Sequence, residues 1–153
     1  MKNTFIAFLI FSAAVGLYAP QATAKEKPIT LEKLQEDKDF ELTCGCAVTN
    51  RNGDFLVFSG PTERASAIVR IDGKRRSLKW SSSNELARDA RVGDRFYKSY
   101  RSGTTKMRIN YRTTEICEPS DDSCEVTKYS IDIRLQDGSR KNTLRNLRGE
   151  CGC

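Results

Sequence analysis

The stretch Ala67-Ile68-Val69-Arg70-Ile71-Asp72-Gly73-Lys74-Arg75-Arg76-Ser77-Leu78-Lys79-Trp80 decides the fold. Asp72-Gly73 separates a strand over 67–71 from a second over 75–80. The Asp-Gly dipeptide tolerates the positive φ that a two-residue hairpin turn demands at both central positions, which makes it a strong local hairpin signal.

Outward from this hairpin the same grammar repeats, with short alternating runs bounded by turn residues. Upstream, Phe55 to Ser59 stops at Gly60-Pro61. Before it, Phe40, Leu42, Cys44, Cys46 and Val48 alternate with polar or small residues up to the Asn50-Arg51-Asn52-Gly53-Asp54 turn. Downstream, Phe96 to Tyr100 stops at Ser102-Gly103. Met107, Ile109 and Tyr111 then line one face of a strand whose other face carries Lys106, Arg108, Asn110 and Arg112. Tyr129, Ile131, Ile133 and Leu135 repeat the alternation up to Asp137-Gly138, and the last segment carries Leu144 and Leu147 toward Cys151. About eight such strands predict an all-β fold, an antiparallel barrel or sandwich. A barrel is preferred, because closure removes exposed strand edges. Helix is confined to two short candidates. One is Leu31 to Asp39, after Pro28 and capped by Thr30; the other is Asn84 to Ala90.

Six cysteines stand as Cys44-Gly45-Cys46, Cys117, Cys124 and Cys151-Gly152-Cys153. Members of a Cys-X-Cys pair on a strand point to one face and are poorly placed to bond each other. The expected pairing joins the first pair to the last pair across neighbouring strands, with Cys117 closing on Cys124. The alternative, a four-thiolate zinc site from the two Cys-Gly-Cys pairs, conflicts with the two-to-four-residue spacing usual for such ligands. No metal and no cofactor is expected.

Residues 1–24 read as a cleaved signal peptide. Lys2 begins it, Phe5 to Leu17 form an apolar run too short to span a bilayer, and Ala22-Thr23-Ala24 offers a small-residue cleavage site. Residues 25–153 then form one domain that is periplasmic or secreted, without a membrane span after processing, in a compartment where disulfides persist. The full chain carries a net charge of +6, and loss of Lys2 leaves about +5, an excess that attracts anionic surfaces.

The chain has no histidine, which excludes Ser-His-Asp and Cys-His hydrolase chemistry. It matches no phosphate loop and no calcium loop. The acidic residues fall mostly in turns or on strand faces, so the reading is a binding protein and not an enzyme. The candidate binding surface interleaves aromatic and cationic residues: Ser82, Ser83, Tyr97, Lys98, Tyr100, Arg101, Lys106 and Arg108. Aromatic rings give rigid contact area, and arginines give directional hydrogen bonds. The competing reading sends the tyrosines into the core and leaves the charges to solvate the outside.

Phe40-Glu41-Leu42-Thr43-Cys44, Ile68 to Leu78, Ser81 to Asn84 and Phe96 to Gly103 together resemble the small periplasmic or membrane-bound inhibitors of c-type lysozyme. The resemblance implies an eight-stranded barrel closed by a disulfide between the first strand and Cys151 or Cys153. It also implies a protein partner, a lysozyme-like enzyme whose catalytic carboxylates would meet Ser82 or Ser83 and Arg101 or Lys106. The alternative is a basic module for an anionic envelope or extracellular ligand, held on Lys106, Arg108, Arg112 and Arg134, or a structural envelope protein. Nucleic acid is not the expected partner.

Overall fold

The Asp72-Gly73 turn joins two antiparallel strands as expected, with φ of 48° and 78° at its two residues. In the computed structural model, which describes residues 27–84, 90–116 and 126–152, these are β4 (Ala67–Ile71) and β5 (Lys74–Asn84). They are preceded by β1 (Leu31–Glu32), β2 (Gly45–Thr49) and β3 (Phe55–Ser59). They are followed by β6 (Arg95–Ser102), β7 (Thr105–Glu115), β8 (Val126–Asp137) and β9 (Arg140–Gly152). The strands form one sheet in the order β1-β4-β3-β2-β9-β8-β7-β6-β5, and β5 pairs back onto β4. β2 to β9 therefore close an eight-stranded antiparallel barrel, with β1 as a short extra strand.

Inward-facing residues fill the barrel: Val48, Val57, Val69, Ile71, Leu78, Met107, Ile109, Ile131, Ile133 and Leu135 are all essentially inaccessible to water. Phe96 and Tyr111 stack at 4.4 Å and Tyr129 meets both rings edge-on, which closes one end of this core. Burial pushes the Tyr111 hydroxyl well above the ordinary tyrosine range, so it stays neutral.

The helix expected over Leu31 to Asp39 is not formed. Leu31 and Glu32 pair with Ile71 and Arg70, Asp37 takes a positive φ, and Glu36 bridges Phe40. Tertiary packing decides this segment: Leu34 and Phe40 bury against Phe58 on the outer side of β3 in a second apolar cluster. Asp39 anchors the arm there through Arg70, whose Nη2 lies 2.6 Å from one carboxylate oxygen. Of the helix expected over Asn84 to Ala90, Asn84 is instead the last residue of β5 and Ala90 is not helical, while 85–89 lie outside the described residues.

The first barrel strand is shorter than the alternation from Phe40 implies. Pairing begins at Gly45, and Leu42 is exposed. Gly45 passes so close to β3 that a β-carbon there would collide with the Ser59 carbonyl oxygen. Cys46 is bonded to Cys151, its direct cross-strand partner on β9. Cys44 is also disulfide-bonded. The bonded sulfurs of Cys46 and Cys151 have no thiolate to give a metal, which removes the four-cysteine zinc alternative. The signal peptide over 1–24 and the expectations for Cys117, Cys124 and Cys153 lie outside the described residues.

Candidate functional site

The N-terminal arm covers the outer wall of the barrel over β3 and β4, but nothing among the described residues covers the outer wall of β6 to β9. Pairing register there stacks outward-facing side chains into rows that run across the strands. One row is Ser82, Ser99, Arg108, Arg134 and Thr143. The next is Lys79, Arg101, Lys106, Gln136 and Lys141. Six exposed cations thus share two adjoining rows with no carboxylate.

None of these six makes an ion pair among the described residues, although Arg70, Arg76, Arg140, Lys33 and Lys128 do. Neighbouring strands lie about 4.8 Å apart, so directly opposed like charges repel and lower stability. A wall that only needed solvation would gain from alternating signs. This one concentrates positive charge around a cavity of about 480 Å³ lined by Arg101, Lys106, Arg108, Arg134 and Lys141, with Ser99, Gln136 and Thr143 between them.

Within that field Arg108 is held in place. Its Cζ lies 3.7 Å from the centroid of the Tyr97 ring, and its Nε donates to Asn110 Oδ1 at 3.2 Å. Cation–π stacking and this hydrogen bond orient the guanidinium and leave its terminal N–H groups available for an oxyanion. The adjoining row, Tyr97, Asn110 and Asp132, ends the purely cationic zone. There Asp132 Oδ1 accepts from the backbone N–H of Asn146, at a positive-φ break in β9.

The eight candidate residues divide between the two sides of the wall. Ser82, Tyr97, Arg101, Lys106 and Arg108 come together on the outer face. Tyr100 is a core residue, 2% exposed, so the sequence reading that made it a contact residue is corrected: it shares a face with Met107, its cross-strand partner. Lys98 and Ser83 pair with each other and Lys98 with Ile109, which places both on the inward side, near one mouth of the barrel. Lys79 and Lys141 also belong to the face, although the sequence pattern does not single them out. Their place in the row follows from the pairing register of β5 with β6 and of β9 with β8, which the sequence pattern alone does not fix.

Comparison with protein-family models, with curated proteins and with solved structures returns no match for this chain.

Proposed function

We propose that this protein is an exported, non-catalytic binding protein that takes a multivalent anionic ligand of the envelope or the extracellular medium on the outer face of β6 to β9. One observation carries the reading: two adjoining cross-strand rows hold six exposed cations, none ion-paired among the described residues, and no carboxylate. Such a field raises the local concentration of anions and speeds their encounter, and oriented guanidinium groups recognise oxyanions by paired hydrogen bonds. Export is supported by the leader-like residues 1–24 and is compatible with the Cys46–Cys151 bond.

The test is affinity for a sulfated or phosphorylated polymer at two salt concentrations, with a neutral polymer as reference. Arg108→Glu plus Arg134→Glu should abolish most of the binding. Arg51→Glu plus Lys74→Glu, which changes net charge equally at exposed positions elsewhere, should leave most of it. Equal losses in both variants would reduce the attraction to net charge and sink the assignment of a face.

A second reading, plugging the cleft of a c-type lysozyme or similar enzyme, is favoured by Arg101 and Lys106. These stand directly opposite one another beside the Gly103-Thr104 turn, positioned to meet a pair of carboxylates. It predicts inhibition of cell-wall hydrolysis that survives higher salt and is lost in Arg101→Ala plus Lys106→Ala. Diffuse polyanion binding instead weakens steadily with ionic strength.

A further inference from the structure

Lys98 is out of place. It lies between Phe96 and Tyr100, both buried, and opposite the fully buried Ile109, so its stem belongs to the inner face of the barrel. Its ammonium makes no hydrogen bond and no ion pair among the described residues. Burial lowers its pKa from the ordinary lysine value, an effect that the Glu63 carboxylate partly offsets from beyond ion-pairing distance. An unpaired, partly desolvated cation on a core-facing position is unfavourable, and a leucine or methionine there would extend the core instead.

The space before this amine is shaped. A cavity of about 210 Å³ is bounded by Phe96, Tyr129, the Cys46–Cys151 disulfide, Glu63 and Lys98. Two of its walls are aromatic and a third is sulfur, Ser83 and Asn84 add polar groups, and Lys98 is its one cation, with the Glu63 carboxylate as the opposing charge. The room equals about seven waters at liquid density, enough for one ring or a short alkyl chain. β5, which lines the cavity with Ser83 and Asn84, is paired over different lengths on its two edges. It pairs with β4 from Lys74 to Leu78 and with β6 from Lys79 to Asn84. Past Leu78 the edge of β5 that faces β4 has no strand partner among the described residues, and there Glu63 and Ser83 line a second small cavity by Trp80. The opening gives the site a way in.

We infer that this mouth of the barrel is a binding site for a small monocarboxylic acid with an apolar or aromatic body, its carboxylate on Lys98 and its body between Phe96 and Tyr129. The site is separate from the cationic outer face and does not depend on it. Glu63 is the built-in competitor: it repels the incoming carboxylate and sets a modest affinity.

Benzoate is the probe, with benzyl alcohol as its uncharged counterpart. Binding is followed by the amide resonances of Ser83, Phe96 and Tyr129 and by the resonance of ¹³C-methylated Lys98. Benzoate should shift all of these saturably, and benzyl alcohol should bind at least about tenfold more weakly, the value of one charged hydrogen bond. Lys98→Met should weaken benzoate by a similar factor. Glu63→Gln should tighten it, and this variant decides the matter if Lys98→Met fails to fold. Arg108→Glu plus Arg134→Glu should change nothing here, which separates this site from polymer binding on the outer face. Equal affinity for acid and alcohol, a Lys98 signal that moves no more than those of surface lysines, or unchanged binding in Glu63→Gln would overturn the inference.

Discussion

Arg108 and Arg134 stand directly opposite one another on β7 and β8, both exposed and neither paired with a carboxylate among the described residues. A like-charged cross-strand pair is a local cost, and converting it to an opposite-charge pair should recover roughly 0.2 to 1 kcal/mol. Arg134→Glu should therefore raise the urea midpoint slightly while weakening polyanion binding. The combination is informative because the two readouts move in opposite senses. A variant that lost both stability and binding would show instead that Arg134 supports the wall.

Asp39 and Arg70 make the opposite kind of pair. Asp39 is 3% exposed; its carboxylate takes two Arg70 nitrogens and the Gln35 N–H, and its carbonyl accepts from Arg75 Nε at 2.6 Å. Burial alone would raise its pKa, but the Arg70 guanidinium and the Gln35 N–H outweigh that and hold it below the usual carboxylate value. Arg70→Ala would strand the charge and should cost about 3 to 5 kcal/mol in denaturant unfolding. Asp39→Ala plus Arg70→Ala should cost clearly less than the two single changes added, because the second removal relieves the first.

The residues show which features can be read from sequence and which cannot. Asp72-Gly73 was legible because a two-residue turn is decided by its own backbone preferences. Phe96, Met107, Ile109, Ile131 and Ile133 were legible because period two separates the faces of a strand. The arm was not: Phe40 and Leu42 continue the alternation toward Cys44, yet Phe40 packs on Phe58 and Leu42 is exposed, a choice made by contacts distant in sequence. The basic wall was half visible, since Arg101, Lys106 and Arg108 lie on neighbouring strands joined by one turn. Adding Lys79 and Lys141 required the register of β5 and β9. Lys98 and Tyr100 are two and four residues after inward-facing Phe96, so their inward direction follows from the same period that was applied elsewhere.

Three hairpin turns meet at one end of the barrel, and carboxylates hold them. Asp72 accepts from the N–H and hydroxyl of Thr30 at 3.1 and 3.0 Å and from Arg140 at 2.7 Å. Arg140 reaches Asp137 as well, and Asp137 also takes Arg76 and the hydroxyls of Thr104 and Thr105. The Thr30 N–H, Arg140 and the Thr30 hydroxyl lower Asp72 from 3.8 to about 2, and Asp137 is lowered too, chiefly by the two threonine hydroxyls. A carboxyl with a depressed folded-state pKa adds stability that is complete above its unfolded value and is lost as pH falls through the folded value. Stability should therefore be nearly flat from pH 5 to 8, where no histidine titrates, and fall between about pH 4 and pH 2. Asp72→Asn should be less stable at neutral pH and lose less on acidification. A parallel acid profile for the variant would assign the loss to other carboxylates.

Gly149 is set by space and not by backbone conformation. It lies on β9 between Val48 of β2 and Tyr129 of β8, and a β-carbon there would overlap Ile131 Cδ1 and sit 3.1 Å from its Cγ1. Ile131 is fully buried, so it has little room to retreat, and Gly149→Ala should cost about 1 to 3 kcal/mol by overpacking. Ile131→Val removes the Cδ1 atom and alone should cost about 0.5 to 1.5 kcal/mol as a small cavity. Together the new methyl fills the space that the lost one leaves. Gly149→Ala plus Ile131→Val should then be more stable than the sum of the single costs predicts, with a coupling of about 0.5 kcal/mol or more in denaturant unfolding. Strict additivity would mean that the strain from the alanine is relieved by movement of β9 itself, and that the glycine serves the strand and not its neighbour.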